Sequence, residues 1–222
     1  MRVKVSEVMT RDVVSVSGGT PFKEIAEALV THGISAVPVI DAEGRVTGVV
    51  SETDLLRKEQ FRERYAGERY RPPLRSRLTR DGREAGRKAL ALTAAELMTA
   101  PAVTIHPQLA AVFAARMMAA HGVKRLPVVD VRGRLVGIVS RRDLLKVFLR
   151  EDDELAREIR EEALGHSVWA DLSRIEVTVA RGVVTLAGEL DSSDLAGSVG
   201  HAVQRVDGVV RVIDRLDRGG RR

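Results

Sequence analysis

The sequence predicts an α/β (α+β) chain: two copies of one β-α-β-β-α module, then a smaller α-β-β-α-β domain. Three observations predict it. Sliding the chain by 89 positions aligns Met9–Leu56 with Met98–Leu145 without a gap, and 17 of the 48 aligned positions are identical. A match of that length marks a duplicated module. Within each copy the apolar spacing passes from strand-like to helical and back. From Asp152 onward that pattern stops and a different alternation begins.

In the first copy, Val13-Val14-Ser15-Val16 reads as a short strand, mirrored by Val103-Thr104-Ile105 in the second. Ile25, Ala26, Ala28 and Leu29 form a helical stripe, and Gly33 ends that helix as Gly122 ends its counterpart. Val37-Pro38-Val39-Ile40 is a strand, Asp41–Arg45 a turn and Val46–Val50 the returning strand. Thr53–Lys58 begins the closing helix. Ser51-Glu52-Thr53-Asp54 and Ser140-Arg141-Arg142-Asp143 stand at the strand-to-helix junctions. A serine followed three residues later by an acid is close to a capping box, so helix capping alone could account for both pairs.

In the last third, Leu155, Ile159, Ala163 and Leu164 suggest an amphipathic helix. Ile175, Val177 and Val179 alternate, Arg181-Gly182 turns the chain, and Val184 and Leu186 resume the alternation. Leu195, Val199, Ala202, Val203 and Val206 form a second helical stripe, and Gly208 precedes a strand at Val209–Val212. The expected organisation is a first repeat at 1–58, a charged basic linker or insertion at 59–91 and a second repeat at 92–150. A small domain follows at 151–217, with a disordered tail at 218–222.

Composition narrows the function classes. Hydrophobic residues make up 44% and charged residues 30%, the balance of a globular chain, while aromatics at 3% leave the cores aliphatic. There is no cysteine, which excludes disulfides, thiolate zinc sites and cysteine nucleophiles. No apolar run approaches the roughly 18–20 residues of a membrane span. The N-terminal sequence meets Glu7 too early for a signal peptide, so a cytoplasmic location is expected. The net charge of +5 is unevenly spread: Arg57–Lys88 carries +7 and Glu151–Asp217 carries −8. The basic excess therefore belongs to one connecting segment, which weakens it as a sign of nucleic-acid binding.

The chemistry concentrates where the copies agree. Gly48-Val49-Val50 leads into Ser51-x-x-Asp54, and Gly137-Ile138-Val139 leads into Ser140-x-x-Asp143. A serine hydroxyl and a carboxylate one helical turn apart can grip vicinal hydroxyls, and a helix N-terminus suits phosphate. With the Val8-Met9-Thr10 and Leu97-Met98-Thr99 openings, and Gly33–Pro38 and Gly122–Pro127 as Gly-x-x-x-x-Pro, the chain resembles a tandem pair of cystathionine β-synthase (CBS) domains. The resemblance implies one disc with pseudo-two-fold symmetry and two clefts for adenosine nucleotides or related adenosyl ligands.

That resemblance assigns Asp54 and Asp143 to the ribose hydroxyls, with Ser51 and Ser140 on ribose or phosphate. Val14, Ala36 and Val37, or Val103, Arg125 and Leu126, would wall the adenine, with Pro38, Pro127 and Thr53 beside them. The copies differ where phosphates should fall. Ser35, Ala36, Glu52 and Thr53 in the first correspond to Lys124, Arg125, Arg141 and Arg142 in the second. Grouped by copy, these cations make the second cleft the expected site for polyanionic ligands.

The last domain resembles a BON domain through Gly182-Val183-Val184-Thr185-Leu186-Ala187-Gly188 and Val206-Asp207-Gly208-Val209-Val210-Arg211-Val212. Such domains are linked to phospholipid surfaces or protein partners. A charge of −8 disfavours anionic membranes, so a protein partner is the simpler expectation.

Other signals fail. His32 and His121 precede the helix-ending glycines with no second ligand at metal spacing. Gly165–Trp169 lacks the last glycine of a nucleophile elbow, and Gly82–Lys88 is too short for a P-loop. Met117 and Met118 read as core. No catalytic set, metal site or cofactor is predicted.

The expected function is a non-enzymatic, cytoplasmic, homodimeric sensor of AMP, ADP or ATP, with a possible protein partner at the BON domain. The rival readings are nucleic-acid binding through 57–88, or a membrane or protein adaptor with vestigial clefts.

Overall fold

The computed structural model describes residues 2–57, 88, 90–164, 174–190 and 193–218. Most of the 59–91 segment, the Gly165–Trp169 motif and the tail beyond Arg218 lie outside the described residues. In chain order the elements begin with α1 (Val5–Val8), β1 (Val16–Ser17), α2 (Phe22–Thr31), β2 (Ala36–Ile40), β3 (Val46–Ser51) and α3 (52–57). The second repeat supplies α4 (Ala94–Leu97), α5 (Ala111–Ala120), β4 (Arg125–Val129), β5 (Leu135–Ser140) and α6 (Arg141–Leu144), with a 3-10 helix at Leu145–Leu149. The rest is α7 (Asp152–Glu158), a π-helical extension at Ile159–Leu164, β6 (Glu176–Ala180), β7 (Val183–Leu190), α8 (Ser193–Gln204) and β8 (Arg211–Arg218). Packing divides the chain into two compact units. One joins Met9–Pro107 to Met117–Val139; the other joins Met1–Val8, Gln108–Arg116 and Ser140–Arg222.

In the first unit, β2 lies between β1, its parallel neighbour, and β3, its antiparallel one. Ile25 and Leu29 of α2 pack with Val37, Val39, Val50, Ala94 and Leu97 into an aliphatic core. The first strand of each repeat is shorter than its sequence suggests. Only Val16–Ser17 forms a ladder in the first copy, and a single bridge from Ile105 to Val128 replaces it in the second. Val14 packs against the core and Val103 turns into a cleft, so neither continues a ladder with its neighbouring strand.

The two copies exchange their opening segments. Val49 and Thr99 trade backbone hydrogen bonds of 3.1 and 2.9 Å, and Thr10 and Ile138 trade two of 2.9 Å. Position 49 maps onto 138 and position 10 onto 99 at the 89-residue offset, so the two pairs exchange equivalent residues of the two copies, which is the two-fold relation expected of the duplication. Two glycines make the exchange possible. A Cβ on Gly48 would lie 2.5 Å from the Met98 sulfur, and one on Gly137 would lie 2.6 Å from that of Met9.

In the second unit, β6 and β7 form an antiparallel hairpin and β8 joins β7 in parallel. Arg181 (φ 52°) and Gly182 (φ 72°) both take positive φ, the geometry that suits a two-residue hairpin turn. The Asp152 carboxylate accepts hydrogen bonds from their amides at 2.6 and 2.8 Å. Ile159, Val177, Val184, Leu186, Ala196 and Val203 fill the core. The last strand differs from expectation: it begins at Arg211 and runs to Arg218, because β8 pairs with β7 over its whole length. Arg218 therefore ends a strand rather than opening a tail. Its polar Asp214, Arg215 and Asp217 hide that strand from a hydrophobicity reading.

Candidate functional site

At the end of β3, the Ser51 amide and hydroxyl both donate to Asp54 Oδ2, at 2.9 and 2.7 Å. At the end of β5, Ser140 makes the same pair of bonds to Asp143 Oδ2, at 2.9 and 2.6 Å, and the Asp143 amide returns one of 3.3 Å. Both motifs thus cap helices, as the sequence allowed. Capping occupies one carboxylate oxygen; the other meets a cation. Lys88 Nζ donates to Asp54 Oδ1 at 2.7 Å, and Lys146 Nζ donates to Asp143 Oδ1 at 2.9 Å. The two pairs differ in burial: the Lys88 side chain is 1% exposed and that of Lys146 is 52% exposed.

Burial pushes the Asp143 carboxyl up, but hydrogen bonds from Ser140 and Lys146 outweigh it and hold the group below the usual carboxylate range. A depressed folded-state value stabilises the fold above the unfolded-state value, about 4, and is lost as pH falls below that. Asp143→Asn should therefore cost stability at pH 7, and the difference from wild type should shrink toward pH 3. Urea denaturation at both pH values checks this; an unchanged difference would contradict it.

One cleft gathers residues of both copies. Ser35, Ala36, Val49, Ser51, Glu52, Thr53, Asp54 and Arg57 face Thr99, Pro101, Ala102, Val103, Gly122, Val123, Lys124 and Arg125 across about 320 Å³. That volume falls within the range of small-molecule sites. Arg125 closes part of the wall, donating to the Ala36 carbonyl at 3.3 Å and to the Ser35 hydroxyl.

This corrects the grouping by copy: Lys124 and Arg125 line one cleft with Ser51 and Asp54, and Arg141 and Arg142 are not among its lining residues. The cause is the exchanged opening. The Thr99–Val49 bridge ties the start of the second copy's opening to β3, and the Ile105–Val128 bridge ties its end to β4.

Among the other predicted residues, Val37 and Leu126 are fully buried in strands, and Pro38 sits opposite Val49 in the ladder. The buried Pro127 accepts a hydrogen bond from Ile105, and Val14 packs against the core. None of these five lines the cleft. Arg141 and Arg142 are exposed on α6. Sequence reasoning missed Thr99 as a cleft residue, although its place in the repeated Met-Thr opening was a signal. It also missed Lys88, which no local pattern marks. A separate cavity of about 370 Å³ in the other unit carries Arg2, Arg116 and Arg205 over apolar Val112, Val147 and Val206.

Comparison with known proteins agrees with this architecture. The chain is similar to the uncharacterized protein MK0525 of Methanopyrus kandleri, at 28% identity over 145 residues, or 65% of this chain and 62% of that protein. The chain therefore spans less than two thirds of that relative. It is 27% identical to the CBS domain-containing protein DDB_G0289609 of Dictyostelium discoideum, over 68% of this chain and 94% of that one. Among solved structures, CBSX2 in complex with AMP is 26% identical with a TM-score of 0.56, covering 66% of this chain and 97% of CBSX2. The CBS domain model matches residues 5–60 and 94–150, and the BON domain model matches residues 151–220. With both repeats matched in register, the chain belongs to the CBS-domain family, as a CBS pair followed by a BON domain.

Proposed function

We propose that this protein is a non-enzymatic regulatory sensor of adenine nucleotides, and that the cleft at Asp54 is its binding site. The observation that carries the reading is that Ser51 and Asp54, a hydroxyl and a carboxylate one helical turn apart, line one cleft of about 320 Å³ together with Lys124. The ribose hydroxyls lie against Ser51 and Asp54, and the base against the apolar atoms of Ala36, Val49 and Val103. Lys124 and Arg57 meet the phosphates; among the described residues neither has an ion-pair partner. The similarity to CBSX2, crystallised with AMP, supports the ligand class.

The sensor acts as a homodimer in the cytoplasm and passes ligand binding to a protein partner through the BON domain. Such coupling requires the ligand to bind one of two states more tightly.

Calorimetric titration with adenosine, AMP, ADP, ATP and S-adenosylmethionine tests the reading. Lys124→Ala should weaken AMP about five- to tenfold, the loss of one charge-assisted contact, and leave adenosine nearly unchanged. Equal losses for both ligands, or no binding by any of the five, would refute it.

A further inference from the structure

Lys88 is the most deeply buried charged group among the described residues, with 0% relative exposure. It comes from the segment between the repeats, 34 residues beyond its partner Asp54. Its ammonium donates to Asp54 Oδ1 at 2.7 Å and to Thr99 Oγ1 at 2.9 Å. Both partners line the cleft, while Lys88 itself is not among its lining residues.

Lone pairs decide what remains for a ligand. Asp54 Oδ2 accepts two hydrogen bonds from Ser51, which fills it. Oδ1 accepts one from Lys88 and keeps a single lone pair. The Ser51 hydroxyl spends its proton on Asp54 and keeps acceptor capacity. The pair can therefore accept one hydroxyl proton at Asp54 Oδ1 and another at Ser51 Oγ, which is the demand of a vicinal diol. Without Lys88, Asp54 would be an uncompensated anion with a 9% exposed side chain, a costly state.

We propose that Lys88 is a positioning residue of the cleft: it holds the Asp54 carboxylate oriented to accept one ribose hydroxyl and so sets the preference for ligands carrying an intact 2′,3′-diol. This rests on the adenine-nucleotide reading above. It also divides the two motifs, because Asp143 is served by an exposed lysine one turn away in its own helix region.

The test compares AMP with its 2′,3′-dideoxy analogue by calorimetry. In Lys88→Met, AMP affinity should fall about tenfold while the dideoxy analogue changes less than about twofold, so the diol preference collapses. In an Asp54→Asn background the same substitution should have little further effect, because residues acting through one another are not additive. Lys88→Arg, which keeps the charge, should retain a diol preference.

Should the variants not fold, the ¹⁵N-labelled wild-type chain still answers. AMP should shift the Lys88 ammonium resonance and the dideoxy analogue should not. Equal losses for both ligands, tighter AMP binding in Lys88→Met, or a Lys88 resonance that moves with both ligands or neither would overturn the proposal. If wild type bound no AMP, the nucleotide reading would fall and this inference with it. If it bound AMP with a diol preference that Lys88→Met retained, only the inference would fall.

Discussion

Gly188→Ala is expected to destabilise the BON domain by about 2–5 kcal/mol, from backbone strain and forced overpacking together. Gly188 has φ +127°, a region that residues with a side chain rarely adopt. A Cβ there would also drive into the backbone carbonyl of Arg174, just ahead of the buried Ile175. The carbonyl cannot swing aside like a flexible side chain. For a domain of this size, each kcal/mol moves the midpoint by about 4–8 °C, so a drop above about 10 °C is expected. Scanning calorimetry of the full chain measures it. Gly197→Ala in α8 is the control, since its added methyl meets nothing within 4 Å and gains helix propensity. A Gly188→Ala midpoint close to that of the control would show that the hairpin tolerates the bend differently.

The second large effect is expected at Asp54. Asp54→Ala should weaken AMP about ten- to a hundredfold, because a hydrogen bond to a charged group contributes about 1.5–3 kcal/mol. It should also lower stability by about 3–5 kcal/mol, since it leaves Lys88 buried without its carboxylate. Asp143→Ala should cost less on both counts, because Lys146 is half exposed and stays solvated when its partner is lost. Calorimetry for affinity and urea denaturation for stability separate the two variants. A larger loss of affinity from Asp143→Ala would show that the nucleotide sits at the other motif. That was the outcome implied by grouping the cations by copy. The ranking reversed because Lys124 and Arg125 line the cleft of Asp54.

What could be read directly from the sequence was local. The helix at Phe22–Thr31, the positive φ at Gly33 and Gly122 and both Ser-x-x-Asp caps depend on residues within a turn or two of one another. Their hydrogen bonds and apolar spacing are properties of short segments, so the repeat showed them twice. Strand extent was less legible. Two nominal strands shortened because Val14 and Val103 pack elsewhere, and β8 lengthened because β7 offered a partner along its full length.

The membership of the cleft was decided by tertiary structure alone. Each Ser-x-x-Asp motif could be found in sequence, but which cations face it depends on Thr99 pairing with Val49, 50 residues away. Lys88 shows the same limit more sharply. In sequence it is one of twelve basic residues between Arg57 and Lys88, most of them expected to be solvated. Only the closing of the chain around Asp54 and Thr99 removes it from water, and the charge it meets there is what keeps a buried carboxylate and a buried ammonium together in the fold.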